Sequence, residues 1–308
     1  MQALTKIEHG SPEWFEARRS KINASTASAI LYPGAPGVRG TPLSEYERIV
    51  NGKDSDPSPE LQELFNWGTK SEPLHIEMLE EELGSGMIIV ANKLMVVDPH
   101  AEWLVGTPDA FGSDYSGGKS AAKKAVIELK APVYHDPWGD ECPIGPRTQC
   151  QLYMMMTDAD VGYVSALIPP SVRVFKVERD RDWEAWAMAT LTEFWHENVV
   201  KRVPPKAMPT DASLLAEMPR QPKKEVHLGD DLMRKAAMME SMKAQVSDLE
   251  ETIADCRSEI LQSMGDAEHA VFSDGTGYSY LQQTRKIPAK EASVSTFRVL
   301  KRIKKAKD

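Results

Sequence analysis

The stretch Ala125-Val126-Ile127-Glu128-Leu129-Lys130-Ala131 combines five apolar residues, two of them β-branched, with two charges, which predicts a mostly buried β-strand. Because side chains alternate across a strand, Glu128 and Lys130 point to the same face. A second short strand is predicted at Trp103–Gly106, just before Thr107-Pro108-Asp109. If these two strands are neighbours, the carboxylates of Asp109 and Glu128 can meet at one point.

Two converging carboxylates are costly unless a cation neutralises them, and hard oxygen ligands favour Mg²⁺ or Mn²⁺. A lysine beside them can orient or deprotonate a water and stabilise charge that develops on a phosphate. By itself the pattern is weak, since Pro-Asp is usually a turn and Glu-x-Lys in a strand is usually a solvated, salt-bridging face.

The order of the other predicted elements sets the fold class. Ser11-Pro12-Glu13 starts a helix that runs to about Ser20, and Asn23 to Thr26 offers caps for a second helix through Ile30. The remaining predictions are helices on both sides of Gly68 to Pro73, a strand at Met87–Val97, a connection at Gly112–Lys124, a helix at Pro146–Thr157, strands at Val161–Ile168 and Val172–Glu178, and a helix at Asp180–Val200. Together they predict an α/β (mixed α+β) fold, with a mixed central sheet flanked by helices.

The chain divides into a large domain and an appendage. We expect one domain at 1–203, a proline-rich linker at 204–224 and a C-terminal helical and hairpin appendage at 225–308. Apolar residues from Leu232 to Ile260 recur at spacings of three and four, which predicts a long amphipathic helix. It could pack as a helical hairpin, against a partner, or as a coiled coil of little more than four heptads.

The charge is uneven along the chain. The formal net charge is −9, but residues 285–308 carry nine Lys and Arg against two acids, a balance of +7 that leaves −16 on the rest. This excludes a protein that grips nucleic acid by bulk positive charge. The segment 297–307 could lie on DNA, dock on an acidic neighbour or be a solvated end.

Several other classes of protein are disfavoured. The three cysteines are not closely paired, which argues against a disulfide framework and against a four-cysteine zinc or iron–sulfur site. The seven histidines form no paired metal motif, and no glycine-rich phosphate loop is present. With no long apolar run and no secretory leader pattern, we expect a cytoplasmic protein, in a bacterial host if phage encoded.

Several segments in a fixed order resemble the phage lambda exonuclease and YqaJ-type viral recombinase family of the PD-(D/E)xK nucleases. The resemblance covers roughly residues 11–200. Its segments are Pro12-Glu13-Trp14 through Arg18 to Ile22-Asn23-Ala24-Ser25, Trp67-Gly68 through Glu72-Pro73, Gly106-Thr107-Pro108-Asp109, Ile127-Glu128-Leu129-Lys130-Ala131-Pro132, and Gln149-Cys150-Gln151-Leu152-Tyr153-Met154. The departure from the family is the long connection between Asp109 and Glu128.

The resemblance implies roles for individual residues. Asp109, Glu128 and the Leu129 carbonyl would bind the catalytic metal, with Lys130 next to the attacking water. Glu72 matches a supporting helix acid, although a first-turn acid at a helix start is the ordinary alternative. Gln149 matches a glutamine that holds the site from a covering helix. Gln151 is less favoured, because two positions along a helix it faces elsewhere.

The resemblance also suggests how a DNA end is read. Arg18 and Ser25 would hold the 5′-terminal phosphate, with an ordinary surface ion pair and a helix cap as their alternatives. Phe65 matches an apolar residue that parts the duplex end, and core packing is its alternative. Lys119, Lys123 and Lys124 could touch DNA, but we favour solvated side chains.

The function implied by the resemblance is a Mg²⁺-dependent 5′ to 3′ exonuclease on linear double-stranded DNA, with Mn²⁺ able to substitute and two ions per site. It would release 5′-mononucleotides and leave a 3′ single strand for a single-strand annealing protein. A homo-oligomer is expected, as a trimeric ring. The alternatives are an endonuclease or flap nuclease on the same fold, and a non-catalytic scaffold that binds DNA ends.

Overall fold

The protein is described by a computed structural model, which covers residues 4–53, 58–116, 118, 122–132, 138–217, 221–222 and 224–282. Lys119 and the basic tail lie outside these residues. The chain divides into two units, Met1–Ala216 and Glu217–Asp308. The division falls inside the stretch predicted as a linker, because residues 209–216 form two short helices that belong to the first unit. The first of these short helices is tied to the rest of the unit, because Thr41 Oγ1 donates to the buried carboxylate of Asp211 at 2.5 Å.

The described residues of the first unit form nine strands and seven α-helices. The strands are β1 Leu4–Glu8, β2 Ile22–Asn23, β3 Met87–Ala91, β4 Leu94–Val97, β5 Leu104–Gly106, β6 Ala110–Asp114, β7 Lys123–Lys130, β8 Val161–Ile168 and β9 Ser171–Glu178. The helices are α1 Pro12–Ser20, α2 Ser28–Leu31, α3 Pro42–Asn51, α4 Pro59–Leu83, α5 Ile144–Thr157, α6 Arg181–Glu193 and α7 Ala212–Ala216. Short 3₁₀ turns lie at Gly84–Gly86 and Pro209–Asp211, and a π-helical segment, Phe194–Val200, follows α6.

Two mixed sheets organise this unit. The larger has the order β3-β6-β7-β8-β9, in which β7 and β8 are parallel and the other pairs are antiparallel. The smaller has the order β1-β4-β5-β2. This confirms the predicted mixed sheet flanked by helices.

Strand β7 is buried on both faces in its middle, which explains the consecutive apolar residues Ala125-Val126-Ile127. Val126 packs in a cluster with residues of α5 and α6, such as Leu152 and Leu191. Ile127 points the other way and packs in a second cluster with Leu79 of α4. Glu128 and Lys130 therefore lie on the α5 side of the sheet, since they share the parity of Val126.

Three predicted elements were wrong in extent. Met87–Val97 is two strands that break at Asn92-Lys93, and β6 and β7 occupy both ends of the stretch predicted as the connection 112–124. Pairing along the sheet extends strands beyond their most apolar residues. The predicted pair of helices around Gly68 to Pro73 is one helix, α4, with Pro73 inside it.

Helix α4 tolerates its interior proline. It begins at Ser58, whose side chain accepts from the Leu61 amide at 3.2 Å, and Pro59 occupies the first turn. Pro73 removes one backbone donor. Near that break the Ser71 hydroxyl donates to the Gly68 carbonyl at 2.9 Å. The 25-residue helix is therefore continuous across the predicted break.

The second unit contains α8, Asp230–Met264, and a short hairpin of β10, His269–Val271, and β11, Gly277–Ser279. The hairpin confirms the one expected in the appendage. Its turn is tied by Phe272 N, which donates to the Thr276 carbonyl at 2.7 Å. Among the described residues of both units, no helix is long and apolar enough to cross a membrane.

Candidate active site

Sheet register brings Asp109 to Glu128. Strands β6 and β7 are antiparallel with Ala110 opposite Ile127, so the residue before Ala110 lies beside the residue after Ile127. The Leu129 amide donates to Asp109 Oδ2 at 2.7 Å, which fixes the carboxylate against β7. The Asp109 carboxylate lies close enough to Glu128 to raise the pKa of that residue. The carboxylates therefore meet as expected from the sequence, but the neighbour of β7 is β6; the prediction that the strand ending at Gly106 is that neighbour was wrong, because β5 lies in the smaller sheet.

Lys130 completes the cluster on the same face of β7. Its Nζ contacts Glu128 Oε1 and donates to Gln149 Oε1 at 3.1 Å. Gln149 lies on α5, and its Nε2 donates to the hydroxyl of buried Tyr153 at 2.9 Å. Tyr153 in turn donates to the Thr107 carbonyl at 3.1 Å. This chain of bonds fixes the orientation of Gln149, and through it the position of the lysine ammonium.

Close packing of α5 on β5 needs a glycine at Gly106. A Cβ on Gly106 would lie 2.4 Å from Cε1 of Tyr153, closer than any real contact. The absence of a side chain at Gly106 therefore lets the Tyr153 ring approach the segment that carries Asp109.

Burial controls the charge of the cluster. Burial, and next the neighbouring Asp109, raise the pKa of Glu128 to about 8. Burial also raises the pKa of Asp109. Burial lowers the pKa of Lys130, but the two carboxylates outweigh it, so the net shift of that pKa is upward. Without a metal, the pair of carboxyl groups therefore keeps a proton at neutral pH while Lys130 stays charged.

The donor set fits a hard divalent cation. Glu128 Oε2 is buried and has no hydrogen-bond partner among the described atoms, which leaves a ligand oxygen available. No group of three Asp, Glu, His or Cys side chains in the described ranges could hold a metal by itself. Asp109 and Glu128 would therefore need a further donor such as the Leu129 carbonyl. Glu72 on α4 is near the cluster, and burial, followed by the Asp109 charge, raises its pKa.

Arg18 lies near this cluster. Its guanidinium stacks over the Trp14 ring, 4.6 Å from the centroid, and its charge acts on Tyr153. Trp14 Nε1 donates to Thr107 Oγ1 at 3.0 Å, which connects α1 to the segment before Asp109. The predicted phosphate-binding cation and the carboxylates are thus parts of one region.

Residues 13–160, just under half of the chain, match the family model described as a YqaJ-like viral recombinase domain. This part of the chain is similar to the YqaJ-like viral recombinase family. The matched range contains Arg18, Ser25, Phe65 and all five predicted catalytic residues. Together with the carboxylate and lysine cluster, this match favours a DNA nuclease of the phage exonuclease type.

No curated protein matches the chain. The crystal structure of an alkaline exonuclease (LHK-Exo) from Laribacter hongkongensis is 19% identical with a TM-score of 0.47, over 62% of this chain and 97% of that chain. A phage related exonuclease from Haemophilus somnus 129PT is 12% identical with a TM-score of 0.40, over 59% of this chain and 96% of that chain. At these identities and TM-scores, the likeness to the two solved structures adds nothing to the family match.

In this YqaJ-like domain the predicted helix start near Ser25 was wrong. Helix α2 has four residues and begins at Ser28 after Ala27, which makes no side-chain cap. The expected caps are engaged elsewhere, because Asn23 Nδ2 donates to the Arg18 carbonyl at 2.9 Å and Thr26 Oγ1 donates to Glu45 at 2.8 Å. Ser25 is exposed in the turn between them.

A buried ion pair on α3 holds this turn against α1. Arg48 donates to Glu45 Oε2 at 2.7 Å and to the carbonyls of Arg18, Arg19 and Lys21. Glu45 also accepts from Thr26, next to Ser25. One guanidinium therefore binds the carbonyl end of α1, while its carboxylate partner binds the following turn.

Phe65 is exposed on α4, with 54% of its surface accessible, so the core-packing alternative was wrong. It lies seven residues before Glu72, which places both on one side of the helix about 10 Å apart. Gln151 is buried and donates to the Glu178 carbonyl at 2.8 Å, so Gln149 is the glutamine that faces the site.

Sequence reasoning missed Tyr153, Thr107 and the Glu45–Arg48 pair. Tyr153 follows Gln149 at i+4 on a helix, a spacing that signals contact once Gln149 is suspected. No local sequence pattern predicts the contacts of Arg48, because its carbonyl partners are at least 27 positions away in the chain.

Proposed function

We propose that this YqaJ-like domain is a Mg²⁺-dependent exonuclease that degrades one strand of linear double-stranded DNA from its 5′ end. It would release 5′-mononucleotides and leave a 3′ single strand. The observation that carries the proposal is the buried Asp109–Glu128–Lys130 cluster with an unpaired carboxylate oxygen. Metal-assisted hydrolysis of a phosphodiester needs this combination of anionic oxygens and one cation.

Asp109, Glu128 and the Leu129 carbonyl would hold Mg²⁺, with Glu72 supporting it or its water. When bound, Mg²⁺ polarises the phosphodiester and lowers the pKa of a coordinated water. Lys130, held by Glu128 and Gln149, is oriented to position the attacking water and to stabilise negative charge on the phosphate. The proposal also includes two metal ions per site, as the family resemblance implies, and the substitution of Mn²⁺ for Mg²⁺.

The polarity of digestion would come from the end of the strand. Arg18 provides a guanidinium near the carboxylates, and Ser25 provides an exposed hydroxyl in the turn that Glu45 and Arg48 hold against α1. A guanidinium binds phosphate oxygens in a bidentate manner. Phe65, exposed on the Glu72 side of α4, would separate the two strands at the end.

The 3′ strand would be passed to a single-strand annealing protein, and the domain would assemble as a ring of three copies around the duplex. Both features are proposed from the family. Neither is needed for hydrolysis at the carboxylate cluster.

One assay tests the function. Linear duplex with a 5′-phosphate, the same duplex with a 5′-hydroxyl and a covalently closed circle are each incubated with Mg²⁺, and products are resolved on a gel. We expect digestion of the phosphorylated linear duplex, slower digestion of the hydroxyl duplex and none of the circle. Digestion of the circle would indicate an endonuclease, and no digestion of any substrate would indicate a scaffold that binds DNA ends.

A further inference from the structure

Helix α8 exposes a long apolar stripe that its own unit does not cover. Of its 35 residues, Met264 is the buried one in the part of the chain that the structure describes. The stripe includes Leu232, Val246 and Ile253, each exposed by about half or more. Because an isolated helix gains most of its stability from packing an apolar face, such a stripe needs a partner.

The stripe has the seven-residue period of a coiled coil. The first seam positions, called a, are Leu232, Met239, Val246, Ile253 and Ile260. The second seam positions, called d, are Lys235, Met242, Leu249, Cys256 and Ser263. A strict heptad keeps one narrow seam facing another helix along its whole length, which favours a helix of the same period as the occupant.

We infer that α8 pairs with α8 of a second copy of this chain, as an antiparallel coiled coil in one register. The inference does not depend on the proposed nuclease function. A parallel, in-register pair would place Lys235 against Lys235 of the other copy inside the seam, which is unfavourable. It would also pair Lys243 with Met238 and Glu250 with Gln245 across the flanks, so neither charge would gain an opposite partner.

In an antiparallel pair each a residue faces a d residue of the other copy. Full overlap of the two helices places Val246 against Leu249, Met239 against Cys256, and Ile253 against Met242. Lys235 then faces Ile260, and its long stem can lie along that apolar side chain. Three of the five kinds of seam contact then join two apolar side chains, and the central one joins two aliphatic residues.

Charges on the flank select this register. With full overlap, Lys243 lies beside Glu250 of the other copy, and twofold symmetry makes this contact twice. A shift by one heptad in one direction puts Lys243 beside Lys243 of the other copy. A shift in the other direction puts Glu250 beside Glu250 of the other copy. Both shifted registers therefore bring like charges together and shorten the overlap.

A cross-link tests the geometry in the full-length chain. Met239→Cys should form a disulfide with Cys256 of the other copy on mild oxidation, which gives a covalent dimer on a non-reducing gel. The control, Met239→Cys with Cys256→Ser, should not. In the wild type the two Cys256 residues would be about 25 Å apart along the pair and should stay unlinked. A Cys256-linked wild-type dimer, or no cross-link in the Met239→Cys chain, would overturn the inference.

Charge reversal tests the register. Lys243→Glu or Glu250→Lys alone turns two attractive contacts into two repulsive ones, so the dissociation constant of the α8 contact should rise about tenfold. The double reversal should restore it, and Ala244→Glu, on the outer face of the helix, should leave it unchanged. The measurement compares sedimentation between the variants. A ring formed by the first unit would change the sedimentation of every variant equally, so a difference between variants reports on the α8 contact. Sedimentation identical in all variants would mean that the stripe is covered within one chain and would overturn the inference.

Discussion

Replacing Arg48 by methionine should weaken the fold and, separately, the discrimination of a 5′-phosphate. The Arg48 side chain is 10% exposed and the Glu45 side chain 8%, so Arg48→Met leaves a buried anion that still accepts a hydrogen bond from the Thr26 hydroxyl. Removing one member of a buried ion pair costs about 3–5 kcal/mol. The carbonyls of Arg18, Arg19 and Lys21 lose their donor as well. We therefore expect a loss near the upper end of that range in the free energy of unfolding.

The effect on phosphate discrimination follows from what Arg48 holds. Without its bonds to the end of α1, the Arg18 side chain and the turn with Ser25 lose their fixed separation. The ratio of digestion rates for 5′-phosphate and 5′-hydroxyl duplexes should fall toward one, while the rate on the hydroxyl duplex stays within about twofold, because Asp109 and Glu128 do not contact Arg48. A misplaced positioning group can cost about a hundredfold in rate, which sets the upper limit of the change.

A matched control separates positioning from stability. Arg179 and Glu184 form a second buried pair, 9% and 8% exposed with a 2.6 Å contact, and Arg179 also donates to the Ala159 carbonyl at 2.9 Å. Arg179→Met should cost somewhat less free energy, because Arg181 still contacts Glu184 at 3.2 Å, and should leave the rate ratio unchanged. Unfolding is followed by circular dichroism, and rates are measured where both variants are folded. If Arg48→Met keeps the wild-type ratio, its role is purely structural. If the wild type itself has a ratio of one, the role proposed for Arg18 is wrong.

Three further predictions concern the cluster and α4. Lys130→Ala should abolish cleavage and keep DNA binding in a gel-shift assay, and retained cleavage would mean that the lysine is misassigned. Because the folded-state pKa of Glu128 is raised from 4.5 to about 8, the folded protein binds the extra proton between these values, so its metal-free stability should fall as pH rises through that window. Chemical denaturation in EDTA measures this fall, which should disappear in Glu128→Gln. Phe65→Ala should change stability by less than about 0.5 kcal/mol, since the ring is exposed, yet slow digestion of paired ends. Equal slowing on ends already unpaired by mismatches would argue against strand separation by Phe65.

Local sequence was enough for much of the fold. The bounds of three strands were predicted within one or two residues, because each contains a dense run of β-branched and apolar side chains. These are the strands predicted at Ala125–Ala131, Val161–Ile168 and 172–178. Element limits were least reliable where context intervened. Pro73 did not end α4. No helix starts at Ser25, because its neighbour Asn23 bonds back to Arg18 and its neighbour Thr26 bonds to Glu45.

The sequence by itself determined which residue types could do chemistry and which face of β7 they share, since strand alternation is a local property of the backbone. The heptad of α8 is equally local. Only the tertiary structure decided that Asp109 touches Glu128, that Tyr153 fixes Gln149, and that Arg48 joins α1 to α3. These contacts depend on sheet register and helix packing between segments far apart in the chain. Burial then set the proton on Glu128, because desolvation is a property of the folded surroundings and not of the residue.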